Sequence, residues 1–230
     1  MPRPIPSGAV TAYTETLTKP VQTPTYGSGG TFTVACSTRI SATPSTVLDI
    51  VLDAPNYPIW NQFCRKCTID EQPDTNDTSD ANDANDDDDG KLRLGTKFTF
   101  DVFLDPEGEG GGASPRPTAL KVNILEPVEY HEEGGRKRKG WRVTWGHRPS
   151  LLMPEWLLRS ERVQEFIEIS DSSSDTETEY LCWETFYGPL ARVVKIAVGI
   201  KVQRGFEVGM EGLKGRAEEV QAQRRKAVPE

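Results

Sequence analysis

The chain has 230 residues, enough for one domain of ordinary size, and a formal net charge of −8. Of its 35 acidic residues, ten lie between residues 70 and 89, which leaves 25 acidic against 27 basic residues elsewhere. This balance lacks the concentrated basic face that nucleic-acid binding requires, so that function class is excluded. The four scattered cysteines and the absence of an apolar leader segment predict a cytoplasmic protein with reduced thiols.

The first regular elements are predicted after a disordered tail over residues 1–30, which is rich in Pro, Thr and Gly. Residues 31–40 alternate between apolar and polar side chains, which is typical of a half-buried strand. Pro44 suits the first turn of a helix that ends before Pro55, and residues 57–63 are expected to form a second, short helical turn.

Six further strands are predicted, at residues 64–71, 96–104, 120–124, 141–147, 161–169 and 180–187. Two long connections interrupt them. Residues 71–90 are a low-complexity acidic insertion that we expect to be disordered, and residues 106–117 form a Gly/Pro-rich loop.

A long amphipathic helix is predicted after Gly188-Pro189, and residues 223–230 are expected to be a tail. The second half of the helix carries one apolar stripe, which consists of Phe206, Met210, Leu213, Ala217 and Val220. Five glycines between residues 199 and 215 weaken it, at about 1 kcal/mol each relative to Ala, so the packing of the stripe has to offset them.

This order of elements predicts a single α+β domain over residues 31–222. Strands joined in sequence by hairpin-length or disordered connections pair antiparallel. The last helix is the only predicted element long enough to cover the apolar face of the sheet. We therefore expect a curved antiparallel sheet of about six to seven strands wrapped around a long C-terminal helix.

Three local strings resemble the START-like (SRPBCC) superfamily, whose helix-grip fold is that of the birch-pollen allergens. Pro44-Ser45-Thr46-Val47 with Asn56-Tyr57-Pro58-Ile59-Trp60-Asn61 is similar to the opening of its polyketide-cyclase/dehydrase and coenzyme-Q-binding group. Residues 183–191 are similar to the last strand and helix entry of that group, and residues 206–214 to its final helix.

The resemblance implies a central cavity for a hydrophobic ligand, such as a lipid, an isoprenoid or a polyketide-like molecule. The alternative is a cyclase or aromatase of secondary metabolism that uses the same cavity. An enzyme needs acid and base groups that converge on the substrate, whereas a carrier needs few polar groups. The inward-facing polar candidates are few, namely His147, Glu184, Arg162 and Gln164, which favours binding.

Large side chains on the covered faces are the candidate ligand-binding residues, because small-molecule pockets are mostly apolar with a few polar groups. They are Trp60, Phe100, Val102, Val122, Val143, Trp145, His147, Phe206 and Met210. The alternative for the tryptophans is that they are plain core beneath the helix.

His147 and Glu184 are weak catalytic candidates. An imidazole has a pKa suited to acid–base chemistry, although a histidine near a strand end is more often exposed or simply hydrogen-bonded. A buried carboxylate needs a partner or a raised pKa, which would make Glu184 a candidate acid or base. Outward pairing of Glu184 with an Arg or Lys across the sheet is the preferred interpretation.

Cofactor and metal motifs are absent from the sequence, and we expect neither group. Cys64 and Cys67 form a C-x-x-C, but a second pair of zinc ligands is missing and the strand-to-helix setting of a redox motif is absent. In an extended strand the two side chains would also point to opposite faces. The spacing is therefore interpreted as coincidence.

The segment from Leu151 to Leu158 carries six large apolar residues in a connection between two strands. One interpretation is a cavity gate or a lip that touches a membrane transiently. The other is a short helical plug over the end of the sheet. The sequence leaves both open, although such a cluster is rarely left in water without a purpose.

Overall fold

A computed structural model describes residues 12–17, 19–73, 90–105, 114–131, 135, 137–169 and 177–227. Its strands are Tyr13–Leu17 (β1), Phe32–Ile40 (β2), Cys64–Glu71 (β3), Lys97–Val102 (β4), Arg116–His131 (β5), Lys137–His147 (β6), Arg159–Ile169 (β7) and Glu177–Tyr187 (β8). Its helices are Pro44–Leu52 (α1), Tyr57–Trp60 (α2) and Ala191–Ala227 (α3), with a 3-10 turn at Ala54–Asn56.

The strands form one antiparallel sheet in the order β1-β2-β8-β7-β6-β5-β4-β3. Register shifts in β3 and β5 mark bulges, which increase the twist and bend of a sheet. Helix α3 packs its buried residues against the inner face of this sheet in one continuous core. The predicted α+β helix-grip fold is confirmed, with eight strands in place of six or seven.

Helices α1 and α2 follow the predicted signals and position the segment that borders the core. Thr43 caps α1 by accepting a hydrogen bond from the backbone N–H of Thr46 at 3.2 Å, and Pro44 occupies the first turn. The buried hydroxyl of Tyr57 then donates to the carbonyl of Val51 at 2.9 Å. This contact holds α2 against the end of α1.

The N-terminal region does not behave as the predicted tail, because residues 13–17 form the edge strand β1 beside β2. Tyr13, Leu17 and Val21 pack on a second apolar cluster on the outer face of the sheet. This cluster consists of Ala35, Val163, Leu181 and Trp183. Burial of that outer cluster explains why a Pro- and Thr-rich segment is ordered here.

Two other predicted boundaries shift, whereas β3 ends at Glu71, as the predicted strand does. Arg116 already belongs to β5, so the Gly/Pro-rich connection is shorter than its composition indicated. The central parts of both connections, residues 74–89 and 106–113, lie outside the described residues. Helix α3 continues to Ala227 although its apolar stripe ends earlier, because no helix breaker precedes Pro229.

The apolar connection between β6 and β7 is a series of turns rather than the helical plug. The backbone N–H groups of Leu157 and Leu158 both donate to the carbonyl of Pro154, at 2.9 and 3.3 Å. Leu158 packs against the core, whereas Leu151 and Leu152 project into solvent. No helix in the described parts of the chain is long and apolar enough to cross a membrane.

The glycines of α3 allow that helix to approach α2 closely. A Cβ at Gly212 would lie 1.9 Å from the carbonyl oxygen of Trp60, and a Cβ at Gly205 would lie 2.3 Å from the ring of Phe63. Gly215, by contrast, has nothing within 4 Å. The cost of the glycines to the helix is therefore offset, at two of the five positions, by contact with residues 60–63.

Gly212→Ala and Gly215→Ala form a matched test of this close approach. We expect Gly212→Ala to lower the free energy of unfolding by about 1–3 kcal/mol, because the new methyl overlaps the Trp60 carbonyl. Gly215→Ala should raise it by about 1 kcal/mol, because it removes a helix-weakening glycine without a new contact. Urea denaturation measures both, and equal effects of the two substitutions would contradict the close contact.

Replacing residues 74–89 by a short Gly/Ser linker should leave the fold intact. The two ends are already fixed to each other and to the 3-10 turn that follows α1. The Gln72 side chain donates to the Lys91 carbonyl at 2.9 Å, and the Ala54 N–H donates to the Gly90 carbonyl at 3.2 Å. We expect the thermal midpoint to stay within about 4 °C, the shift that 1 kcal/mol produces in a chain of this size. A fall of tens of degrees would show that the acidic segment supports the fold.

Candidate functional site

A narrow cavity lies between the inner face of the sheet, α2 and α3. Its volume is only about 30 Å³. Its walls consist of Cys36, Tyr57, Trp60, Asn61, Phe63, Phe100, Trp145, Arg162, Gln164, Tyr180, Cys182, Gly205, Phe206, Gly209, Met210 and Leu213. An organic ligand therefore has to move side chains as it enters.

Arg162 brings a positive charge into this largely apolar wall. It lies on β7 directly opposite Glu184 on β8, and its Nε and Nη2 donate to Glu184 Oε2 at 3.0 and 2.9 Å. Its guanidinium stacks on the ring of Phe206, 4.3 Å from the centroid. Burial opposes the charge, but the neighbouring Glu184 carboxylate raises the pKa of Arg162, so the guanidinium remains protonated.

The predicted outward orientation of Glu184 is wrong, although its predicted Arg partner across the sheet is correct. Tyr180, Cys182 and Phe186, which alternate with Glu184 along β8, belong to the core beneath α3. The Arg162 and Glu184 side chains are only 17% and 12% exposed. The carboxylate is thus the counter-ion of a buried cation, not a free acid or base.

Two hydrogen-bond donors in the cavity wall have no partner. Trp60 Nε1 and Gln164 Nε2 are buried and form no hydrogen bond with the described residues. Gln164 Oε1 accepts a hydrogen bond from the Tyr180 hydroxyl at 2.7 Å, which fixes the amide so that only its NH₂ remains to be satisfied. Buried polar groups normally find partners, so both donors require an explanation.

Asn61 makes the rim beside Trp60 rigid. Its side-chain oxygen accepts hydrogen bonds from the backbone N–H groups of Phe63 and Cys64, at 3.0 and 2.7 Å. These bonds join the end of α2 to the first residue of β3. The indole of Trp60 is therefore held on a fixed segment while the opposite wall, on α3, carries the flexible Met210.

Two cavity thiols lie side by side. Cys36 on β2 and Cys182 on β8 are directly paired in register, and both are buried. Burial opposes ionisation of Cys182, but its hydrogen bond with Cys36 and the charge of Arg162 together lower the pKa of Cys182. The same hydrogen bond and burial raise the pKa of Cys36. The pair is polarised so that Cys182 is the more acidic thiol.

The predicted separation of Cys64 and Cys67 on opposite faces is wrong. A register shift between Cys64 and Lys66 inserts an extra residue, which turns both thiols into the core. Both remain free, and burial raises the pKa of Cys64 to about 12. Among the described residues, no group of three or more His, Cys, Asp or Glu could hold a metal ion.

The structure brings together five of the predicted ligand-binding residues. Trp60, Phe100, Trp145, Phe206 and Met210 all line the cavity. Val122 and Val143 are fully buried in the core without lining the cavity, and Val102 is only partly buried against that core. The aliphatic members of the prediction thus support the wall, while the aromatic members and Met210 form it.

His147 lies at the end of β6, where it is only half-buried and outside the cavity wall. Burial lowers the pKa of His147, and the charge of Arg148 lowers it further, while Glu184 acts in the opposite direction. Its Nδ1 has no partner among the described residues. The imidazole is therefore neutral at neutral pH, and it does not line the cavity that Trp60 and Gln164 line.

Sequence reasoning missed Tyr57, Asn61, Tyr180 and the two paired thiols as wall residues. The sequence did indicate Arg162 and Gln164 as inward-facing polar residues, and both alternate on one face with the core residue Phe166. The register that pairs Cys36 with Cys182 could not be read from the sequence. It depends on which of two apolar faces of β8 turns inward.

No protein-family model matches the chain. A search of curated proteins finds a relative in Penicillium oxalicum, oxopyrrolidines biosynthesis cluster protein O, 34% identical over 171 residues, which span 73% of this chain and 77% of the relative. The chain belongs to the family of this cluster protein. The matched length exceeds two thirds of both proteins, so the family relationship covers the domain and not a short motif.

Solved structures with a similar course of the chain come from three bacteria. The match to a hypothetical protein of Helicobacter pylori covers 93% of this chain and 92% of that protein, with 12% identity and a TM-score of 0.47. The match to a START superfamily protein of Mycobacterium smegmatis has 15% identity and a TM-score of 0.45. The match to a Thermus thermophilus protein has 10% identity and a TM-score of 0.48. Each match covers 82% of this chain and 98% of the other protein. The START-like layout itself follows from the sheet order and α3 of the present chain.

Replacing one partner of the buried ion pair should destabilise the protein far more than replacing both. We expect Arg162→Met or Glu184→Met to cost about 3–5 kcal/mol, because each leaves an uncompensated charge in the core. The double substitution should cost much less, because two apolar side chains of similar volume replace the pair. Urea denaturation of the three variants gives the comparison, and single-variant costs below about 1 kcal/mol would mean that the pair is effectively solvated.

Proposed function

We propose that this protein binds an apolar small molecule of secondary metabolism in the cavity beneath α3, and that oxygen atoms of this molecule accept hydrogen bonds from the wall. The observation that carries the proposal is the pair of unmatched donors, Trp60 Nε1 and Gln164 Nε2, in the same wall as Arg162. All three groups only donate, so they favour a ligand with carbonyl, carboxylate or enolate oxygens.

The apolar part of the wall supports the same function. Tyr57, Trp60, Phe100 and Trp145 form a continuous set of tilted and edge-to-face aromatic contacts, with centroids 4.8–6.0 Å apart. Aromatic walls with a few fixed polar groups are typical of small-molecule sites. The cavity volume of about 30 Å³ lies far below the roughly 300–1,000 Å³ of such sites, so a ligand enters only if the wall side chains move apart.

The family relationship supports an oxygen-bearing ligand of this kind. The Penicillium relative is named for the biosynthesis of oxopyrrolidines. An oxopyrrolidine is a five-membered nitrogen ring with a carbonyl group, and a carbonyl oxygen is a hydrogen-bond acceptor. A molecule of this type offers the acceptor that the donors lack, together with apolar surface for the aromatic wall.

Binding is favoured over a cyclase or aromatase activity. Acid–base catalysis needs its groups within hydrogen-bond reach of the substrate. His147 and Glu184, the two candidates, are absent from the cavity wall, and Glu184 is occupied by Arg162. The wall oxygens of Asn61 and Gln164 already accept hydrogen bonds within the protein, so they are not free bases, and the unmatched donors are sufficient to orient a ligand.

The role of Trp60 is tested with two neutral probes that differ in one carbonyl, 2-octylcyclopentanone and octylcyclopentane. We expect the wild-type protein to prefer the carbonyl probe by about two- to tenfold, the effect of one net hydrogen bond. Trp60→Phe should reduce this preference because it removes the indole N–H while keeping an aromatic ring. Isothermal titration or tryptophan quenching gives the two dissociation constants.

Trp183→Phe is the matched control, because Trp183 Nε1 is also buried without a hydrogen-bond partner among the described residues but lies in the outer cluster. It should leave the preference for the carbonyl probe unchanged. If neither probe binds below about millimolar concentration and native mass spectrometry finds no co-purified small molecule, the cavity is a packing defect and the proposal fails.

A further inference from the structure

A second feature, separate from the cavity, is an exposed apolar face next to the start of α3. Leu151 and Leu152 are 102% and 91% exposed, and Ile196 and Ile200 on the helix are 88% and 87% exposed. Trp156 and Val193 are exposed as well. These six residues are called the docking face below. Contiguous exposed apolar surface of this kind marks an interaction site.

The two parts of the docking face are joined through the backbone. The N–H of Leu190, just before α3, donates to the carbonyl of Leu157 at 3.1 Å. A Cβ on Gly188 would lie 2.6 Å from the same carbonyl oxygen. The end of the loop, at Trp156 and Leu157, therefore lies directly against the entry of the helix.

The first turns of α3 are apolar on both sides. Val194, Val198 and Val202 pack toward the core, while Val193, Ile196 and Ile200 face solvent. A helix in a soluble protein normally has one apolar side, which faces the core, and a polar side that faces water. Nothing in the described part of the chain covers the outer side, because these residues remain exposed. Within the described residues, this outer side is therefore available to a partner.

The charges around the docking face identify that partner as anionic. From Gly188 to Phe206 the chain has four basic residues and no acidic residue. Three of the basic residues, Arg192, Lys195 and Lys201, are exposed and form no ion pair with the described residues. A second copy of the chain related by two-fold symmetry would place like charges against each other, which disfavours self-association through this face.

We propose that the docking face binds the surface of an anionic lipid bilayer, with its apolar side chains in the interfacial region and its basic residues on the headgroups. Amphipathic helices with Lys and Arg beside apolar side chains bind membranes in this way. Trp156, exposed beside Leu151 and Leu152, is the residue type that prefers the membrane–water interface. The proposal does not depend on the identity of the cavity ligand.

The test is co-flotation of the full chain with large unilamellar vesicles of phosphatidylcholine, with or without about 30% phosphatidylserine. We expect binding to the vesicles that contain phosphatidylserine, and weakening of that binding as salt shortens the electrostatic range. Leu151→Ser/Leu152→Ser and Ile196→Ser/Ile200→Ser should each reduce the partition coefficient at least tenfold, through loss of buried apolar area. The partition coefficient should fall roughly a hundredfold, at about fivefold per charge, in the triple variant Arg192→Gln/Lys195→Gln/Lys201→Gln.

Ile59→Ser is the matched control, because Ile59 is 58% exposed on α2, away from the docking face, and its loss should leave vesicle binding unchanged. Quenching of Trp156 by brominated lipid should disappear in Trp156→Phe. Absence of binding to the phosphatidylserine vesicles overturns the proposal. So does a dimer in light scattering that the Ile196→Ser/Ile200→Ser variant converts to a monomer, since the face would then join two copies of the chain. If the helix variant does not fold, the loop variant decides alone.

Discussion

The organisation of the inner site depends on one buried cation. Arg162 is held by Glu184 on the neighbouring strand and by the face of Phe206 on α3, so it connects β7, β8 and the helix at one point. A charge in this position is tolerated only with its counter-ion close by. The pairing fixes which face of β8 turns inward, and with it the positions of Cys182 and Tyr180 in the cavity wall.

The second constraint is that both faces of the central strands are covered. Helix α3 covers the inner face, and the N-terminal segment around Tyr13, Leu17 and Val21 covers the outer one. Glu161 on the outer face is fully buried, and one of its oxygens accepts a hydrogen bond from the backbone N–H of Thr25 at 2.9 Å. The sheet is therefore a middle layer in this region, with the helix on one side and an extended segment on the other.

The coverage of both faces of the sheet explains which parts of the fold and of the site could be predicted from the sequence and which could not. The order of elements, the capped α1 and the apolar stripe from Phe206 to Leu213 follow from local patterns, which were sufficient to predict the fold. Both faces of strand β8 carry apolar residues, so periodicity could not show whether Glu184 faces the core or the solvent. Strand β1 was missed because its pairing depends on a partner surface and not on its own composition. The aromatic wall was predicted from residue type, whereas the unmatched donors depend on side-chain geometry.

The unmatched donors on Trp60 and Gln164 also bear on how abundant the protein is in the cell. A ligand that satisfies them binds the folded chain and not the unfolded one, so it adds stability in proportion to the logarithm of its concentration, about 2.7 kcal/mol at one hundred times the dissociation constant. Proteases in the cell continuously degrade the unfolded fraction of a protein. Changes of about 1–2 kcal/mol in its free energy of unfolding therefore alter its abundance several-fold. If the proposed ligand binds, the amount of this protein would then follow the supply of that ligand.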